Sequence, residues 1–480
     1  MKVSRVLIFV ASLISATLSG AQSWTPLTHQ PTFAASTALL LTDGSVMVQD
    51  AAVANPNHWW RLKPDNTGSY INGTWTQIAS LPFGYDPQNF ASAVLADGRV
   101  VIVGGKFNLG TLAETTMAAI YDPSSNSWTS FSGPPTWSQV GDAQSTVLPD
   151  GTLMIGNCCN AQQALLNAST LGWTITGAGK ADSNAGETWA AVPDNTSTPH
   201  RGGVLTVDVT AIPNTELYDP ATGTWVGLGS TVPLAACNET GPLVLQNTGN
   251  IFATGATGNT AIYHPTSATW TTGPTFPAGQ GAMGGPAAAL PSGNVLVQTS
   301  PTSPCNSAGS HFYEFNGSTL TAVANPPRAG VDSAAVGRLL LLPTGQVMYT
   351  DSSNDVEIYT PTGTFNFVWQ PTLNSYPSNI TVGASWYTIT GTQLNGLSQA
   401  SMHGVGAQAA TNYPLVRITN NATGHVFYAF THNHSSMGVA TAGVQVSTLF
   451  DPPLNLERGP STLVVVANSI PSAPVAINVF

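Results

Sequence analysis

The chain has 480 residues, 47 of them glycine and 35 proline, and only 7% of its side chains are charged. That is too apolar for a disordered polymer, which combines low hydrophobicity with high net charge. Twelve Lys and Arg against 23 Asp and Glu, a net charge of −11, leave too little positive charge to neutralise phosphates and exclude nucleic acid as a partner.

Met1 to Ala21 have the layout of a secretory signal. Lys2 and Arg5 precede an apolar run from Val6 to Leu18, and Ser19-Gly20-Ala21 offers a small-residue cleavage site before Gln22. A membrane anchor is the alternative, but the run is short and Ser12 and Ser15 interrupt it. No later segment reads as a membrane span. Residues 22–480 are therefore expected outside the cytoplasm, secreted or at the cell surface, in an extracellular or periplasmic setting. Loss of Lys2 and Arg5 takes the formal charge from −11 to about −13, which favours solubility.

Many Gly, Thr, Ser and Asn with few Lys and Glu favour strands and turns. From residue 35 onward one element recurs: alternating apolar residues, a turn ending in Gly, and a second alternating run. Its turns are Asp43-Gly44, Asp97-Gly98, Asp150-Gly151, Thr248-Gly249, Ser292-Gly293 and Thr344-Gly345. Each predicts a β-hairpin. The interval is about fifty residues, with one gap about twice as long. A degenerate hairpin fills that gap, from Trp189 through Arg201-Gly202-Gly203 to Val207, making seven.

A second element follows most hairpins, an apolar residue and a Trp or apolar residue seven positions on, across a polar turn. Examples are Tyr121 with Trp128, Tyr218 with Trp225 and Tyr263 with Trp270; Leu166 with Trp173 and Tyr313 with Leu320 keep the spacing. Two hairpins per repeat make a four-stranded sheet, and seven sheets about an axis make a β-propeller over residues 22–374. Trp24 reads as an outermost strand with no hairpin before it, expected to complete the last sheet; Phe367 to Trp369 are a second candidate for that place. From about Ser375 to Phe480 short strands such as Trp386–Ile389, Leu415–Ile418, His425–Tyr428 and Leu463–Val466 predict an immunoglobulin-like sandwich.

Four cysteines in an exported chain permit disulfides. Cys158 and Cys159 are adjacent, so they form either a vicinal bridge or bonds to other partners; Cys237 and Cys305 are then the natural second pair. No Cys/His spacing suits zinc.

Asp-Gly hairpins followed by Tyr-Asp-Pro and Trp resemble kelch repeats. A kelch propeller with a C-terminal immunoglobulin-like domain resembles the galactose oxidase and glyoxal oxidase architecture. The segments Gly141-Asp142-Ala143-Gln144, Gln393 to Ser398 and Asn412 to Arg417 resemble exported bacterial kelch-motif proteins of unassigned activity. The oxidase resemblance would imply a copper–radical site, with a Tyr-His pair ahead of the seventh hairpin and a His from the last domain. Ala335 and Val336 stand where the resemblance places the pair, and Ala409-Ala410-Thr411 where it places a Thr-His-Thr element. Neither supplies a copper ligand. His432 and His434 do not restore the set, so no cofactor is expected.

Residues just ahead of each leading strand converge on a propeller's mouth. Counting nine or ten positions before each turn glycine gives Ala35, Asn89, Asp142, Glu239 and Gly284, and the degenerate repeat supplies Glu187. Asp142, Glu187 and Glu239 are candidate catalytic carboxylates, with Asn89, Asp332 and Arg328 as candidate ligand-binding groups. Clustered carboxyls raise one another's pKa, and one protonated beside one ionised form a glycosidase pair. Structural calcium is an equally simple use of the same oxygens, and capping of free backbone N–H groups is a third. Trp128, Trp225 and Trp270 read as core; Trp59, Trp60 and Trp137 read as packing, with sugar stacking as the alternative. Two functions stay open: a non-catalytic module binding polysaccharide, cell-surface glycan or protein, and a carbohydrate-active hydrolase or lyase.

Overall fold

The computed structural model describes residues 22–52, 57–277, 279–403 and 407–480; the signal segment read over 1–21 lies outside them. Among the described residues nearly every element is a strand, with two 3-10 turns besides. No helix among the described residues is long and apolar enough to cross a membrane.

The predicted hairpins form and extend into antiparallel meanders. The first sheet runs Ala35–Leu40, Val46–Asp50, Trp59–Lys63, Thr74–Ile78, and the second Ala91–Val94, Val100–Val103, Ala118–Asp122, Ser127–Phe131. Five more follow with leading strands Ser145–Val147, Thr188–Ala191, Leu243–Leu245, Ala287–Ala289 and Arg338–Leu341. Each leading strand touches the next in order, and Arg338–Leu341 returns to touch Ala35–Leu40. Leading and second strands are mostly buried, whereas outer strands such as Ser127–Phe131 are largely exposed. The chain is therefore an all-β propeller.

The seven-residue spacing marks true cross-strand pairs: Tyr121 faces Trp128, Leu166 faces Trp173, Tyr218 faces Trp225 and Tyr263 faces Trp270. Their rings meet at 5.0–5.7 Å where both are aromatic, a contact worth about 1 kcal/mol beyond burial. The sixth sheet departs from the expectation. Leu320 faces Phe315, and Tyr313 faces Ala322, because Tyr313 stands two positions before the closing pair of its hairpin, where Tyr121, Tyr218 and Tyr263 stand one before theirs.

Ser23–Pro26 completes the seventh sheet, pairing with Glu357–Thr360 so that Trp24 faces Tyr359. Phe367–Trp369, the other candidate, is a 3-10 turn; Asn366 caps it by accepting from the Val368 N–H. Trp59 is fully buried, Trp137 nearly so, and Trp60 stacks on Phe33 at 4.8 Å. All three pack.

From Thr372–Ser375 onward the strands form a separate sheet system, which includes Tyr387–Thr392, Leu415–Asn420, Val426–His432, Gln445–Asp451, Gly459–Ala467 and Val475–Val479. Their core is Ile389, Val416, Ile418, Phe450, Leu463 and Val465. This unit covers the turn end of the propeller. Gly44 and Gly98 hold φ of +74° and +83°, and a Cβ on either would lie 2.5 Å from the Tyr428 ring and 2.7 Å from Phe430. Only glycine meets both demands. The end carrying the starts of the leading strands is left open.

One C-terminal segment leaves that unit and lies along the axis. Gln399 exchanges both backbone hydrogen bonds with Leu245, and its side chain accepts from the Ala191 N–H. Met402–His403 then pairs with Thr188–Trp189, and Ala407–Gln408 folds back on it.

Candidate functional site

A cavity of about 420 Å³ opens at the uncovered end of the propeller. Residues before a leading strand reach it, and so do residues after the second strand, because that strand runs antiparallel and ends on the same side. The first kind supplies Asn89, Asp142, Glu239 and Arg338; the second supplies Lys106, Phe107 and Asn306.

Lys106 follows the strand Val100–Val103, and its ammonium donates to Asp142 Oδ2 at 3.0 Å. Burial alone would lower the Lys106 pKa, but the Asp142 carboxylate outweighs it and raises it. Glu114 stands close by, pushed up by burial and then by the Asp142 charge. Glu239 Oε2 is buried with no hydrogen-bond partner. Burial, then the Asp142 charge, raises Glu239 to about 7, against the pull of Lys106. The cavity therefore holds one carboxylate tied to an ammonium and one carboxyl balanced between its two states.

Two further groups reach the same end. Arg338 opens the seventh leading strand and donates through Nη1 to Ala335 O and Gly337 O; burial lowers it to about 10, still charged. His403 arrives on the axial C-terminal segment, buried and lowered to about 4 by burial, against the opposing effect of Asp142. Its imidazole is neutral at pH 7. The disulfide Cys237–Cys305 joins the loops that carry Glu239 and Asn306, while Cys158–Cys159 forms a vicinal bridge with Cys158 Sγ 3.4 Å from Glu114 Oε2.

The structure thus brings Asn89, Asp142 and Glu239 together and sends the other sequence candidates elsewhere. Glu187 is fully buried in the fourth sheet, where Lys180 Nζ reaches Glu187 Oε1 at 2.8 Å and Glu216 Oε2 at 2.9 Å, and Thr206 Oγ1 donates to Glu187 Oε2. Arg328 and Asp332 form an ion cluster with Asp351, whose Oδ2 accepts from Arg328 Nε at 3.0 Å. None of the three lines the cavity. Lys106, Arg338 and His403 were not singled out from sequence. The scarcity of cations made Lys106, after Gly104-Gly105, the findable one.

A pH experiment checks the Glu239 environment. Its folded pKa, about 7, lies above the ordinary carboxylate value near 4.3. It therefore contributes stability below about pH 4.3 that is lost as pH rises through 7. Glu239→Gln is expected to leave the melting temperature unchanged at pH 4.5 and to raise it relative to wild type at pH 8. Equal differences at both pH values would contradict this environment.

No protein-family model matches the chain. A kelch-like protein, terF, of Aspergillus terreus is 31% identical over 91 residues, and the match spans only 18% of this chain and 18% of that relative's length. Among solved structures, a fungal alcohol oxidase of the AA5 family, in complex with copper, superposes with a TM-score of 0.52 at 13% identity, covering 96% of this chain and 100% of its own. The extracellular domain of a hybrid two component system, BT4673, from B. thetaiotaomicron superposes with a TM-score of 0.50 at 10% identity, covering 96% of this chain and 59% of that one. At such identities the likeness is one of fold, and together with the kelch-like segment it supports a kelch-type propeller.

Proposed function

We propose that the chain is an exported, seven-bladed kelch-type propeller with an immunoglobulin-like C-terminal domain, and that its open mouth binds glycan. The observation that carries the reading is the cavity itself. A solvent-open space at the axis is lined by amides, hydroxyls, the Lys106–Asp142 pair and the unpartnered Oε2 of Glu239. Sugar hydroxyls both donate and accept, so they satisfy such a mixed rim in a way an apolar ligand cannot. The two disulfides accord with an oxidising setting.

Copper oxidation is not part of this reading, although an oxidase shares the fold. Ala335 and Val336 line the mouth where the resemblance would place a Tyr-His pair, and Lys106 and Arg338 bring positive charge to it. Cations repel a metal ion, and copper takes imidazole, phenolate or thiolate donors; this donor set does not fit it. Calcium is no part of it either, since the Lys106 ammonium already occupies the Asp142 carboxylate.

A second reading, carbohydrate hydrolysis or lysis, is favoured by one observation: Glu239 titrates near neutrality beside Asp142, the arrangement of an acid and a base. Depletion on an insoluble polysaccharide panel, with reducing-end detection, separates the two. Wild type is expected to deplete on at least one polymer without releasing reducing ends, and Lys106→Ala to weaken that retention about tenfold. Release of reducing ends that Glu239→Gln abolishes would replace binding with catalysis. Retention unaltered in Lys106→Ala would remove the mouth from the account.

A further inference from the structure

The mouth cavity does not end at the second sheet. Gln88 lines it and also lines a second cavity of about 380 Å³ on the rim, bounded by Asn57, Phe83, Tyr85, Asp86 and Leu109. Two apolar residues of this rim stand in solvent. Phe83 stands at the tip of the turn Pro82 to Tyr85, closed by the Tyr85 N–H to Pro82 O bond, with Gly84 at φ +87°. The residue is 103% exposed. Leu109 and Gly110 form the two-residue turn between Phe107–Asn108 and Thr111–Leu112, where Leu109 holds φ +52° and is 61% exposed. That turn favours Asn-Gly or Gly-Gly, and a leucine held there in solvent gains neither conformational ease nor burial. Beneath them Asp86 is buried, and its Oδ1 has no partner; burial raises it to about 6.

From this continuity we infer that the rim cavity is a second subsite, and that the ligand is a chain of several sugar units running from the axial mouth over Gln88 to Phe83. The inference rests on the glycan reading of the mouth. A pyranose ring presents a C–H face, which stacks on an aromatic ring, and an edge of hydroxyls, which pair with amides and carboxyls. Phe83 and Leu109 supply the first kind of wall, and Asn57, Gln88 and the free oxygen of Asp86 the second. A peptide ligand would be drawn chiefly to an open strand edge for backbone pairing. The polar groups that line this cavity are the side chains of Asn57, Asp86 and Gln88, which pair with hydroxyls.

The test is calorimetric titration of the full chain with β-1,4-linked gluco-, xylo- and mannooligosaccharides, from disaccharide to hexasaccharide. Wild type is expected to bind the hexasaccharide of one series at least tenfold more tightly than the disaccharide. Phe83→Ala and Leu109→Asn should each remove at least fivefold of that gain, with disaccharide affinity shifting less than twofold. Leu109→Asn places a residue the turn prefers, so it should melt no lower than wild type while still weakening the hexasaccharide; a purely structural leucine would give the opposite pair of results. Equal affinity for short and long ligands, or variants that match wild type, would overturn the second subsite and leave the mouth reading standing. No binding by any oligosaccharide would overturn both. A peptide competing with bound hexasaccharide, and losing affinity in Phe83→Ala, would overturn the choice of occupant.

Discussion

A chain that starts at residue 33 instead of residue 22 is expected to melt about 10 °C lower, or to aggregate on purification. Ser23–Pro26 provides the outer strand of the seventh sheet, so the ring is closed by residues from both ends of the propeller sequence. The deleted piece carries more than four paired residues. Leu27 is buried and its N–H donates to Val356 O; Gln30 exchanges two hydrogen bonds with the Val356 backbone; Trp24 donates to Ala324 O and packs on Phe312 and Tyr359. At about 1 kcal/mol per hydrogen bond and about 2 kcal/mol for a buried leucine, the loss is at least about 5 kcal/mol, a large share of an ordinary domain's stability. For a unit this size that corresponds to about 2 °C per kcal/mol. The deletion also bares the Glu357–Thr360 edge, which invites pairing with a second copy. Differential scanning calorimetry reads the result, and an unchanged melt would show that the ring closes without this strand.

Lys180→Met is expected to cost about 3–5 kcal/mol, the range for removing one partner of a buried ion pair. The Lys180 side chain is fully buried, its ammonium bonded to Glu187 and Glu216 and set 5.0 Å from the Trp225 ring centre. Asp208 lies beside them, buried with both carboxyl oxygens unpartnered, and Asp182 completes the acidic group. Burial raises Glu187 to about 8 and Asp208 to about 7, while Glu187 and Glu216 draw the Lys180 pKa up despite its burial. The group thus keeps one cation and holds carboxyl protons at neutral pH. Carboxyls with raised folded pKa contribute stability below their unfolded value that is lost as pH rises through the folded one. The deficit of Lys180→Met should therefore be largest at pH 8 and shrink toward pH 5. Adding Glu187→Gln should recover part of it. A variant melting within 2 °C of wild type at pH 8 would contradict this account of the fourth sheet.

The parts of the fold readable in sequence were those that repeat. A turn glycine between alternating runs marks a hairpin because the chain needs positive φ there, and Tyr-to-Trp spacing marks a pair because the polar loop between them has fixed length. Where the tyrosine sits one position further from a loop of the same length, as Tyr313 does, the same spacing misleads. The axial segment has no periodicity to detect: Met402–His403 and Ala407–Gln408 are two-residue strands whose partners lie in the propeller. For the site, residues ahead of the leading strands are countable from the turn glycines, and that count reaches Asn89, Asp142 and Glu239. Lys106 lies at a second-strand end, which a count back from the turn glycines does not reach. Glu187 met the same positional rule, yet its side chain turns into the sheet toward Lys180, seven residues upstream. No spacing argument separates those two outcomes, because charge pairing across a sheet is decided by packing.

The most direct measurement is hydrogen–deuterium exchange of the full chain, alone and saturated with the polysaccharide fragment that binds best in the depletion panel. Slowed exchange concentrated in the mouth loops around Lys106, Asp142 and Glu239, and absent in Lys106→Ala, is the predicted result. Protection confined to the C-terminal sheets, with those loops unchanged, would contradict it.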